Sequence, residues 1–168
     1  MSAALLARQA RARARMAELG VDVLLLSVGA DLPYLTGYEA MPLERLTMLV
    51  LPRDGGTTLV VPELEAPRVD TVDGEVVLRV WSETEDPVAI VAGLVPSAAG
   101  SIAIGDQTWA RFVLALQSAC AERGAPNARW SSASDVMAAL RMVKDAGEIE
   151  ALRRAAHAVD RVAAEIVA

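Results

Sequence analysis

Val23-Leu24-Leu25-Leu26 decides the fold class of this chain. Side chains on a strand alternate between its two faces, so four successive large aliphatic residues leave no face for water. Burial on both sides is the habit of a central strand in a sheet covered by helices. Before this run, residues 3 to 19 carry Leu5, Ala12, Met16 and Leu19 at helical spacing, with arginines on the other sides. Gly20 then stands where a C′ glycine ends a helix. After the run, Asp31-Leu32-Pro33-Tyr34-Leu35-Thr36-Gly37-Tyr38 places Asp at a cap, Pro early and Gly as a stop. That order predicts one helical turn and a loop.

Further along, Leu46 to Leu51 and Thr58 to Val61 flank Pro52-Arg53-Asp54-Gly55-Gly56, which predicts two strands joined by a tight turn. Glu63 to Val69 suits a short helix and Val76 to Trp81 a strand. Glu83, Glu85 and Asp86 precede Pro87, and a helix is expected over Val88 to Val95, because free first-turn amides favour negative charge. Ser101 to Ile104 reads as a strand, Thr108 to Arg123 as a helix ended by Gly124, and Ala128 to Trp130 as an edge strand. Ser134 is expected to cap a helix over Asp135 to Val143. Strands alternating with helices give an α/β class, with a mixed or parallel sheet covered on both faces.

The final stretch, DAGEIEALRRAAHAVDRVAAEIVA from Asp145 to Ala168, opens with the Asp145 and Glu148 spacing of a capping box. Ile149, Leu152, Ala156, Val159, Ala163 and Ile166 then draw one apolar stripe, with charged residues on the other faces. The stripe demands a covering surface, yet the sequence given supplies no further element to provide one. The helix is expected to be the first element of a domain absent from this chain.

Composition narrows the classes. The chain has 168 residues, 54% hydrophobic and 23% charged, with a net charge of −6. A nucleic-acid partner is not expected, since phosphate binding needs a concentrated basic surface. Only Arg8, Arg11, Arg13 and Arg15 cluster, and they read as a solvated helical face. No apolar run approaches the ~20 residues of a membrane span, so no membrane partner is expected. Cys120 is the one cysteine, which rules out an intrachain disulfide and suits a reducing cytoplasm.

Catalytic motifs are missing from the sequence. His157 is the one histidine, and it has neither a second His nor a Cys at metal-ligand spacing. There is no Gly-x-Ser-x-Gly elbow and no Gly-rich phosphate loop; Gly55-Gly56 serves a hairpin. The numerous carboxylates fall at turns and helix starts, where capping accounts for them.

Taken in order, the landmarks are a VLLLS strand, PYLTGY, Glu44-Arg45 ahead of MLVLP, a DGG hairpin, LVVPELE, Trp81 before an EDP helix start, and LRMVKDAGEIEALRRAAHAVDR. From about residue 3 to the end, the chain resembles the N-terminal domain of the creatinase, prolidase and Xaa-Pro aminopeptidase family. The resemblance implies a mixed, mostly parallel sheet with helices on both faces over residues 1–143. Residues 144–168 would be the linker and first helix of a pita-bread catalytic domain. It also implies two divalent metals of Mn, Co or Zn type, held downstream by two Asp, one His and two Glu, so no catalytic or metal-binding residue carries over to this chain.

The partners implied are the chain's own catalytic domain, a homodimer mate and, for the parent enzyme, short proline-containing peptides. The chain alone is expected to be inactive, covering the active site and supporting dimerisation in a cytoplasmic Xaa-Pro dipeptidase or aminopeptidase-like hydrolase. In creatinase-like members an arginine just before the strand at Leu46 to Leu51 engages the substrate carboxylate, and Arg45 stands in that place; Glu44, Glu39 or solvent are its other expected partners. Tyr34 and Tyr38 are candidates to line the same region, or else buried aromatics under the loop. Two alternatives stay open: a stand-alone peptide- or protein-binding module, and the N-terminal domain of a creatinase-like C–N hydrolase.

Overall fold

A computed structural model of the chain describes residues 2–70 and 76–167. Its sheet is built from β1 (Val23–Leu26), β2 (Met48–Pro52), β3 (Thr57–Pro62), β4 (Val76–Trp81), β5 (Ser101–Ile104) and β6 (Arg129–Ser132). The spatial order is β4-β3-β2-β1-β5-β6. β1 therefore lies inside the sheet, and none of its side chains is more than 1% exposed. It pairs antiparallel with β2 (Leu24 opposite Leu51) and parallel with β5 (Leu24 opposite Ala103). β2–β3 is antiparallel, while β3–β4 and β5–β6 are parallel. The sheet is mixed and mostly parallel, as expected.

The two faces follow from strand alternation. On one face Val23, Leu25, Met48, Val50, Val60, Ile102 and Ile104 form a buried cluster with Val91 and Ala92 of α3 (Pro87–Leu94) and Leu116 and Cys120 of α4 (Ala110–Glu122). The other face carries Leu24, Leu26, Leu49, Leu51 and Leu59, all buried, and also Thr57. The Thr57 hydroxyl accepts from Arg13 Nη2 at 3.0 Å and donates to Gln9 Oε1 at 2.9 Å. Those two residues place α1 (Ser2–Leu19) on this face. Gln9 Nε2 also donates to the Leu35 carbonyl at 3.1 Å, tying α1 to α2 (Asp31–Thr36).

Local chemistry sets the ends of the elements. Gly20 adopts φ +66° and Val21 N–H returns to the Met16 carbonyl at 2.9 Å, a left-handed helix ending that glycine adopts without steric cost. The Asp86 carboxylate accepts from Val88 N–H at 2.9 Å and starts α3. Asp31 lies inside the first turn of α2, and Ala30 holds the cap position without a side-chain bond. No α-helix forms over Glu63 to Val69: only Ala66–Arg68 closes a 3₁₀ turn, because Pro67 has no N–H and its ring would clash with the preceding turn of an α-helix.

Ser134 does not cap α5 (Ser134–Met142) but is its first residue. Its hydroxyl donates to Asp106 Oδ2 at 2.5 Å, and Ser132 Oγ accepts the Ser134 N–H at 2.9 Å. Of the α1 arginines, Arg11 is exposed, as a solvated face implies, whereas the half-buried Arg8 and Arg13 are structural tethers. Arg13 donates to the Pro52 and Gly55 carbonyls and holds the β2–β3 hairpin. Arg8 lies 4.4 Å above the Tyr34 ring.

Residues 1–137 and 138–168 form two compact units, and the division falls within α5. The second unit contains α6 (Ala146–Val167). Its capping box is formed: Glu148 N–H donates to Asp145 Oδ1 and Asp145 N–H to Glu148 Oε2, both at 2.9 Å. Ile149, Leu152, Val159, Val162 and Ile166 are all exposed. Ala168, the last residue of the expected helical stretch, lies outside the described residues.

Candidate functional site at one end of the sheet

Strand direction gathers the loops. β1, β5 and β6 are parallel and finish at the same end of the sheet; β2 runs the other way and starts there, while β3 and β4 finish there. Segments 27–47, 63–70, 82–86 and 105–109 therefore share one rim. From β1 the chain leaves for β2 on one side, and from β5 for β6 on the other. In open sheets such a switch point leaves a crevice beyond the strand ends. Here a cleft of about 390 Å³ lies between Gly29, Pro33, Glu39, Pro42 and Gln107.

Arg45 sits on this rim, in the loop before β2, with both flanking carbonyls fixed. The Glu44 carbonyl accepts from Arg111 Nη2 of α4, and the Leu46 carbonyl accepts from Trp81 Nε1 at 3.0 Å. Arg111 is itself held, with its guanidinium 4.4 Å above the Phe112 ring and 5.4 Å from that of Trp109. The Arg45 side chain is 32% exposed, and its Nε donates to Glu83 Oε1 at 2.9 Å. Neither Glu44 nor Glu39 is its partner. The alignment of β3 with β4 carries Glu83 to the same rim. Nη1 and Nη2 of Arg45 have no partner among the described residues.

Tyr34 and Tyr38 are both buried, with their hydroxyls turned to protein partners. Tyr34 OH accepts from Arg11 Nη2 at 2.6 Å. Tyr38 OH donates to Glu65 Oε2, itself only 5% exposed. Burial, helped by the hydrogen bond and charge of Glu65, pushes the Tyr38 phenol well above its ordinary value, so it stays a proton donor. The structure thus brings Arg45 to the rim and keeps the two tyrosines inside. The sequence marks Trp81 as a landmark and Glu83 as a helix-start acid but ties neither of them, nor Arg111, to Arg45, because each meets the Arg45 loop across 35 residues or more.

A second cleft of about 320 Å³ lies beyond β5 and β6, walled by Thr108, Trp130 and Asp106. The Ser132 and Ser134 hydroxyls hold the Asp106 carboxyl below its usual range. Among the described residues no three His, Cys, Asp or Glu side chains come together as metal ligands. Three of the rim carboxylates are taken up separately, Glu65 by Tyr38, Glu83 by Arg45 and Asp106 by two serines. Divalent metals need several oxygen or nitrogen donors at once, so the residues present do not fit the metal pair implied by the resemblance. Cys120 is buried and its thiol is pushed up by burial, unlike a reactive cysteine. His157 is exposed on α6. Binding of an anion by a fixed guanidinium is what the rim is equipped to do.

Residues 8–143 match the family described as Creatinase/Prolidase N-terminal domain. The chain is 38% identical over 162 residues to "Probable dipeptidase PepE" of Mycobacterium tuberculosis, a match covering 95% of this chain and 42% of that protein. Among solved structures, dipeptidase PepE from Mycobacterium ulcerans superposes with a TM-score of 0.81 at 36% identity, covering 97% of this chain and 43% of that one. A recombinant prolidase from Thermococcus sibiricus gives 0.80 at 30% identity, covering 95% and 43%. The chain thus spans less than half the length of the curated relatives it matches. Among the described residues no helix is long and apolar enough to cross a membrane.

Proposed function

The chain belongs to the creatinase/prolidase N-terminal domain family, and we propose that it serves as the non-catalytic N-terminal domain of a metal-dependent Xaa-Pro dipeptidase or aminopeptidase-like hydrolase. The observation that carries this reading is that nearly the whole chain matches well under half of dipeptidases that resemble it. On this reading residues 1–143 are the domain proper, and 144–168 lead into a catalytic domain that binds two divalent metals.

The exposed stripe of α6 supports a covering surface in that catalytic part, since apolar faces of this size normally find a partner. The protein acts in the cytoplasm as a homodimer on short proline-containing peptides, with the rim placed over an active site. Arg45 is the contact to the substrate: a planar guanidinium matches a peptide carboxylate bidentately. In the longer peptidase, Arg45→Ala should raise KM for alanyl-proline while leaving thermal stability almost unchanged, because its ion pair is largely solvated. Unchanged kinetics would remove Arg45 from the site, and manganese- or cobalt-dependent turnover by residues 1–168 alone would refute the division of labour.

A further inference from the structure

Arg45 is more constrained than its place in an irregular loop requires. The carbonyl on its N-terminal side is held from α4 and the carbonyl on its C-terminal side from β4, so the backbone is fixed immediately before and after it. Rotamer freedom of the side chain is what remains, and a long arginine loses much of it when held at one atom. Glu83 supplies that hold, two residues beyond Trp81, the same residue whose indole fixes the Leu46 carbonyl. One short segment, Trp81 to Glu83, thus orders both the main chain and the side chain of the Arg45 loop.

The contact is single-pointed. Glu83 engages Nε, and Nη1 and Nη2 have no partner among the described residues. A carboxylate seeking a bidentate partner uses two parallel N–H donors of the guanidinium. A bidentate salt bridge would take both donors of one edge; this one leaves the terminal pair available. We infer that Glu83 is a positioning residue: it fixes Arg45 through Nε so that the Nη1–Nη2 pair meets the free carboxylate of a peptide ligand. The inference rests on the reading of Arg45 as the substrate contact and adds to it what sets the geometry of that contact. Glu83 itself does not touch the ligand.

The test is a kinetic cycle in the longer peptidase with Glu83→Gln, Arg45→Ala and the double variant, on alanyl-proline and alanyl-prolinamide. Glu83→Gln should raise KM for alanyl-proline about threefold, the scale of coupling in a largely solvated pair, with kcat unchanged. The amide should show no change. In the Arg45→Ala background Glu83→Gln should add nothing, and Glu83→Asp should recover part of the loss in KM. In the 168-residue chain, the Arg45 Nε–Hε NMR signal should be displaced in Glu83→Gln with thermal stability preserved.

If Arg45→Ala raises KM and Glu83→Gln does not, the positioning role is overturned and the reading of Arg45 stands. A fall in KM on Glu83→Gln would make Glu83 a competitor of the ligand and overturn the inference as well. If Arg45→Ala changes nothing, both fall. Equal losses on the acid and the amide would assign Glu83 a merely structural role and also overturn the inference.

Discussion

Replacing Tyr38 by Phe tests whether the rim rests on a rigid floor. Tyr38 and Glu65 are 6% and 5% exposed, and the phenol is the only side-chain partner of Glu65 among the described residues. Phe keeps the ring and leaves no cavity, so the change isolates one hydrogen bond. A hydrogen bond to a charged group contributes about 1.5–3 kcal/mol, and its loss leaves a buried carboxylate without a donor. The expected destabilisation is about 2 kcal/mol, or about 4–8 °C in Tm for a chain of this size. Urea denaturation at neutral pH measures it, with an unchanged m-value showing that the unfolded state is unaltered. Because the cost comes from stranding one partner, Tyr38→Phe combined with Glu65→Leu should cost less than the sum of the two single changes. A loss below about 0.5 kcal/mol, or strict additivity in the cycle, would refute the reasoning.

The same phenol gives a pH dependence. Its folded-state pKa is raised, so its contribution is complete below the ordinary tyrosine value of about 10 and is lost as pH rises above it; stability should fall more steeply above pH ~10 in the native chain than in Tyr38→Phe. Asp106 has the opposite sign, since its pKa is depressed by Ser132 and Ser134. The gap in stability between the native chain and Asp106→Asn should be full above pH ~4 and close as pH falls below it, as followed by thermal melts across pH. Gln9 is 2% exposed and bridges Leu35 and Thr57, so Gln9→Ala should cost about 2 kcal/mol in urea denaturation by stranding the buried Leu35 carbonyl.

What the sequence made legible was local. The aliphatic run at Val23–Leu26 is the buried strand inside the sheet, Gly20 ends the first helix in a left-handed turn, and Asp145 with Glu148 forms its box. Each of these depends on neighbours within five residues. The Arg45 site depends on strand register instead. An adjacent Glu44 suggested a partner, but the chain presents Glu44's carbonyl to Arg111 and Arg45's side chain to Glu83, residues 67 and 38 positions away from those they meet. Gln9 is the buried link between α1, α2 and β3, made with Leu35 and Thr57, 26 and 48 residues away. The short helix expected over Glu63 to Val69 is present as a 3₁₀ turn at Ala66–Arg68, kept short by Pro67.

The most direct test joins residues 1–168 to the catalytic remainder of the mycobacterial dipeptidase that the chain resembles. With manganese present, the fusion should hydrolyse alanyl-proline, residues 1–168 alone should not, and Arg45→Ala in the fusion should raise KM. A folded fusion that is inactive, or turnover by the 168 residues alone, would contradict the account.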